Sequence, residues 1–199
     1  MEISKEENQT RAKTIIDDYG GIYPVFEAFY IQSILYAAER AEAAFTGFDQ
    51  AVNEDTADEK VFALVQEGLT HAAALSRFFW PMGREDLSKA RGAKLRSVFG
   101  LDDTPLKQRY LRNAIEHFDE DLDKFLLGDV VGYFFPTPIV GDYNLADEET
   151  GHIFKLVDPI RGICVLLGKK FDFNLIRVEV QRVLEVALEM DRQGSRLKL

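Results

Sequence analysis

Between Pro24 and Phe48 the apolar residues Phe26, Phe29, Tyr30, Ile34, Ala37, Ala41, Ala44 and Phe48 recur at helical spacing. That pattern predicts a helix with one stripe turned inward. Pro24 suits its first turn, and Gly47 lies near its end. The acidic loop NEDTADE separates it from a second helix over about 57–80. There Val61, Leu64, Ala72, Leu75 and Phe79 face inward, and Pro81 stops the helix. LSKARGAKLRSVFG predicts a shorter basic helix over about 86–99, closed by Gly100. Asp103-Thr104-Pro105 opens a fourth helix over about 105–127, which ends at Gly128. Residues 1–21 are polar, end in DDYGG, and read as a loose lead-in with some helix.

The character changes after Gly128. DVVGYFFPTPIVG, HIFKLVD, ICVLLG and KFDF are short β-branched and aromatic runs cut by glycine and proline. They predict a small antiparallel meander over about 130–173, with Pro-Ile-Arg-Gly as one of its turns. NLIRVEVQRVLEVALEMDRQ returns to helical spacing, with Leu175, Val178, Val183, Val186 and Met190 on or near one side. The expected fold is mainly α. A four-helix bundle over 24–127, a β addition over 128–173 and a closing C-terminal helix over 174–192 make a single domain, 1–199.

At 199 residues the chain can bury a core without disulfides or metals. Its one cysteine, Cys164, sits in the apolar run ICVLL and reads as a buried structural thiol. No apolar run approaches the roughly 18 residues of a membrane span. The charged start MEISKEENQTRAK does not resemble a secretory signal, so a cytoplasmic setting with no membrane partner is expected. The net charge of −10 disfavours nucleic acid at long range. It is unevenly spread. From Arg77 to Arg112 nine basic residues face four acids, whereas from Glu116 to Glu149 ten acids face Lys124 alone. Two solvated faces of opposite sign would explain this. So would a local basic surface that holds phosphates, with Arg77, Lys94 and Arg109 as RNA-binding candidates.

RNAIEHFDED, residues 112–121, lies in the fourth helix. With about 100° per residue, Leu111, Ala114, Ile115, Phe118, Leu122 and Phe125 form its core stripe. Arg109, Asn113, Glu116 and Glu120 take the outer arc, with Arg112 and His117 on its two flanks. Asn113 and His117 stand one turn apart and can touch; Arg112 and Glu116 can pair likewise. Arg112 and His117 are about 140° apart around the axis, too far to converge on one small group. A two-fold axis that set this face against its own copy would gather both residues in one cleft.

The run Arg112-Asn113-Ala114-Ile115-Glu116-His117 resembles the motif of the HEPN superfamily: arginine, a polar residue, and a histidine four to six positions after the arginine, late in a helical bundle. The resemblance covers residues 24–127. It implies a metal-independent endoribonuclease that needs no cofactor and acts as a homodimer, often beside a cognate antitoxin or in phage defence. Arg112, Asn113 and His117 would then be the catalytic residues. RNA carries its nucleophile in the 2′-hydroxyl, so DNA would resist. An imidazole can move the proton, a guanidinium can brace the phosphate, and Asn113 can orient either. Two departures stand out. Asp119 occupies the position where one subgroup carries a modified tyrosine, and the segment after Gly128 is not part of the minimal bundle.

Other groups are weaker candidates. His71 follows Glu67 by one turn but lacks a third metal ligand, so a half-buried histidine beside a glutamate is expected. His152, in a turn before a strand, is expected to be simply exposed. Asp119, Glu120, Asp121 and Asp123 spread around a helix and read as a solvated face. Phe78, Phe79 and Trp80 could stack bases, but core and helix-end packing explains them better. A function of another class also fits: a non-catalytic helical module that uses the polar face of Arg112, Asn113 and His117 as an interface.

Overall fold

The computed structural model describes residues 4–83, 85–128, 132–148 and 151–197; the side chains of Arg109, Leu111 and Arg112 lie outside that description. The fold is mainly α with a small sheet region. Seven α-helices are present among the described residues: α1 (Lys5–Tyr19), α2 (Glu27–Asn53), α3 (Asp58–Phe79), α4 (Asp86–Phe99), α5 (Arg109–Glu116), α6 (Phe118–Leu126) and α7 (Phe173–Arg192).

The long helices α2 and α3 pack most extensively, and α7 is the next main partner of α2. Their apolar stripes supply Ile31, Ile34, Phe45, Phe48, Phe62, Val65, Leu69, Leu75, Phe79, Phe173, Val180 and Val183 to one buried core. The closing helix is therefore part of the bundle's centre. Its N-cap is Asp172, whose carboxylate accepts from the Leu175 N–H at 3.2 Å. Arg177 grips Asp49 of α2 through two bonds of 2.9 and 2.6 Å. Arg182 donates to the Phe99 carbonyl at 2.8 Å, which ties the end of α4 to α7.

Two expectations about stripes need correction. Phe26 and Phe29 are exposed, because α2 turns Ile31, Ile34, Ala38 and Ala41 inward instead. Leu175 and Val178 are exposed, because Phe173, Ile176, Val180 and Val183 form the buried stripe of α7. The lead-in carries the expected helix, α1, with no buried residue, stopped by Gly20 in the left-handed conformation.

The expected fourth helix is two. Pro105–Lys107 forms a single 3₁₀ turn, capped by the Thr104 hydroxyl. The chain then runs through α5, breaks at His117 (φ −113°, ψ 30°), and resumes as α6. No glycine or proline lies at the break. It falls between two tethers: Glu116 pairs with Arg77 of α3, and Phe118 packs on the core beneath the Lys155 ammonium, 4.9 Å from its ring.

The β region is not a simple meander. The strands are β1 (Tyr133–Phe135), β2 (Ile139–Val140), β3 (Gly151–Ile153), β4 (Lys155–Asp158), β5 (Ile163–Leu166) and β6 (Lys169–Asp172). β4, β5 and β6 are antiparallel, as expected. β2 joins β4 in parallel, and β1 joins β3 in parallel. The reason is the segment after β2: the Asp142 carboxylate caps a 3₁₀ turn over Tyr143–Asp147, which carries the chain across rather than back. The Pro-Ile-Arg-Gly turn is found. Asp158, buried, accepts from the N–H groups of Ile160 and Arg161 at 3.0 and 2.9 Å. Leu167 and Gly168, both at positive φ, make the tight turn between β5 and β6. Val157, Cys164, Leu166 and Phe171 press the sheet onto the helical core. Cys164 is buried, and desolvation pushes its thiol up to about 12, so it is a structural residue. No helix among the described residues is long and apolar enough to cross a membrane.

Candidate functional site

Among the described side chains of the motif, Asn113 and His117 share one surface and Glu116 lies on another. In α5 the position of Asn113 is one turn before His117, and that of Arg112 is one turn before Glu116. The His117 N–H donates to the Asn113 carbonyl at 2.9 Å, so the turn between them survives the break. Asn113 and His117 both line an open groove of about 510 Å³ between the α5–α6 break and β6. Glu116 instead lines a neighbouring groove with Arg77 and Arg91, on the side of α3 and α4. Glu116 pairs with Arg77 of α3, and the pairing expected between Arg112 and Glu116 lies outside the described residues. The side chains of Arg112 and Arg109 lie outside the described residues.

His117 is not on a regular helix, so its angular position follows the break. The imidazole is 52% exposed, with Nδ1 3.7 Å from Glu120 Oε1. A carboxylate there can hold the ring's orientation. Glu120 is itself exposed, so the contact is weak.

Reading the sequence did not find the rest of the groove. Tyr110 from α5 lies parallel to Phe171 of β6, with ring centroids 5.4 Å apart and 15° between planes. Three lysines line the same space: Lys124 from α6, and Lys169 and Lys170 from β6. Lys169 and Lys124 share one carboxylate, Asp121, at 2.6 and 3.3 Å. The two bonds hold the Asp121 carboxyl below its ordinary value of 3.8, with Lys169 the larger cause. Lys170 pairs with Asp147 at 2.5 Å and lies 4.6 Å from the ring of Tyr143. The signal that could have found them was KK beside an aromatic in GKKFDF. Nothing in that run says that it faces α5.

The other candidates fall elsewhere. Lys94 is inside the fold: its ammonium donates to the carbonyls of Tyr19 and Ile22 and to buried Glu27, at 3.2, 3.4 and 3.2 Å. These three acceptors use its three donors, so it staples α4 to the α1–α2 junction. Arg77 is engaged with Glu116. His71 is half-buried beside Glu67, 3.8 Å away, as expected. His152 is not simply exposed: it lies in β3, half-buried, its ring stacked on Phe134 at 4.7 Å because parallel pairing sets those residues side by side. Phe79 is buried, and Phe78 and Trp80 pack against the core. No group of three histidine, cysteine, aspartate or glutamate residues is placed to hold a metal among the described residues.

No family model, no curated protein and no solved structure matches this chain. Its functional reading rests on the groove.

Proposed function

We propose that the protein is a metal-independent endoribonuclease of the HEPN type that acts as a homodimer, with Arg112, Asn113 and His117 as its catalytic residues. The observation that carries this reading is the shared groove: a half-exposed imidazole and Asn113 line one water-accessible space together with three lysines. In the proposed reaction the 2′-oxygen attacks phosphorus and the bond from phosphorus to O5′ breaks. His117 accepts the proton of the 2′-hydroxyl, and its imidazolium returns one to O5′. The products are a 2′,3′-cyclic phosphate end and a 5′-hydroxyl end. The Arg112 guanidinium stabilises charge on the phosphate oxygens. A two-fold axis supplies the second set of residues. A cognate antitoxin would act by covering this groove.

A second reading is a non-catalytic interaction module. The overall charge of −10 supports it, as does an aromatic face on α2, where Phe29 is 70% and Tyr36 65% exposed. One assay separates the two: labelled RNA and labelled DNA of the same sequence, incubated with pure protein in chelator. Wild type is expected to cleave RNA and spare DNA. His117→Ala and Arg112→Ala should each lose at least about a hundredfold of the rate. Cleavage by His117→Ala at the wild-type rate would end the nuclease reading.

A further inference from the structure

The sheet contributes one wall of the groove, and the chemistry of that wall is specific. Lys124 and Lys169 share Asp121 alone, so two positive charges meet one negative. Lys170 also lines the groove, and its ammonium pairs with Asp147 beside the Tyr143 ring. The groove's lining thus sets three lysines against two carboxylates, Glu120 and Asp121, within a chain of net charge −10. The carboxylates hold the lysines in place, and pairs as exposed as these are weak enough for a phosphate oxygen to compete. Tyr110 lies flat on Phe171 yet is 52% exposed, so the stacked pair can be extended by one more ring.

We propose that Lys124, Lys169 and Lys170 form the phosphate-binding wall, and Tyr110 the base platform, of a binding site for single-stranded RNA. The assignment rests on the ribonuclease reading above and makes β6 part of the substrate cleft. A base can lie on Tyr110 only when it is unstacked from its neighbours, which selects single strands over duplexes. The lysines follow the strand by its phosphates and give no sequence preference. A simpler role for Lys169 and Lys170 is to guard a free sheet edge, since β6 ends the four-stranded sheet. That role requires nothing of Tyr110 or Lys124.

Fluorescence anisotropy with a short 2′-O-methyl RNA strand, which cannot be cut, and the same sequence as a duplex tests the assignment. Wild type should bind the single strand at least about tenfold more tightly than the duplex. Lys169→Gln/Lys170→Gln should weaken binding about tenfold and make the slope of log affinity against log salt shallower by about 1.4, for two phosphates. Tyr110→Leu should cost about tenfold and Tyr110→Phe should retain binding. Circular dichroism checks that each variant folds, and Lys124→Gln serves as an independent lysine variant. Wild-type affinity and salt slope in the lysine variants, or equal affinity for duplex, overturn the assignment. If wild type cleaves RNA while the lysine variants bind and cleave normally, the site fails and the nuclease reading stands. If binding depends on the lysines but nothing is cleaved, the nuclease reading fails and the site stands. Neither binding nor cleavage by wild type removes both.

Discussion

The centre of the molecule and its groove are stabilised by different forces. Where α2, α3 and α7 meet, side chains such as Phe45, Leu75 and Val183 are fully buried. Phe45 stacks on Phe173 at 6.2 Å, and Phe48 meets the same ring edge-on at 5.4 Å. Around the groove, α6 buries no residue, and ion pairs and the half-exposed ring of Tyr110 hold its neighbours. Burial of large apolar side chains contributes kilocalories each; exposed ion pairs contribute fractions of one. The stable part of the molecule thus carries little accessible chemistry, and the chemical part is lightly held. A lightly held site can adjust to a ligand, and it tolerates charged groups that a dry core would not.

The largest effect that can test this division is a cavity at its centre. Phe45→Ala removes a fully buried ring between α2, α3 and α7 and should destabilise by about 3–5 kcal/mol, read as a shift in the urea midpoint. The groove variants His117→Ala and Tyr110→Leu should move that midpoint by less than about 1 kcal/mol. Equal losses at both places would erase the distinction.

Adding volume probes the same contact from the other side. A Cβ on Gly68 of α3 would stand 2.7 Å from the Phe45 ring, and that ring has no room to retreat. Gly68→Ala gains helix propensity of about 1 kcal/mol but overpacks a rigid neighbour at about 1–3 kcal/mol. A net loss on the order of 1 kcal/mol is expected in the same urea experiment. A stabilised Gly68→Ala would mean that the α2–α3 contact yields more easily than the packing implies.

The contrast also explains what could be read from the sequence. Helical spacing and end signals located α2, α3, α4 and α7 to within a few residues, because a buried stripe and a capping residue leave local marks: Gly100 after α4, Pro81 after α3. Cys164 in an apolar run was legible for the same reason. The groove was not. The break at His117 has no glycine or proline and depends on where Arg77 and Lys155 reach from other elements. Lys169 meets α6 across 48 residues of chain at Asp121. Glycine and proline marked where strands stop, but the parallel pairings of β1 and β2 arise from the 3₁₀ turn between them and their partners. Phe29 and Leu175 were placed inside because a periodic apolar residue at a stripe's edge does not reveal how far the neighbouring helix extends. Short-range order was visible, and tertiary juxtaposition was not.

The smallest predicted effect tests the groove's own electrostatics. In the folded protein Lys169, and after it Lys124, hold the Asp121 carboxyl below its ordinary value of 3.8, against a weaker opposing effect of desolvation. The unfolded chain lacks those partners, so near and below that pH it binds the proton more readily than the folded one. The stabilisation is therefore present above pH 3.8 and is lost as pH falls through the lower native value. Asp121→Asn removes the linkage. Thermal midpoints measured for both proteins as a function of pH should differ modestly at neutral pH, with wild type higher, and converge on acidification. Raising salt at neutral pH should narrow the same gap, since these charges reach solvent. A gap that persists unchanged into acid would mean that Asp121 acts through shape and hydrogen bonding alone. The two lysines would then owe their position to β6 and α6 themselves, and the groove would be more rigid than its ion pairs suggest.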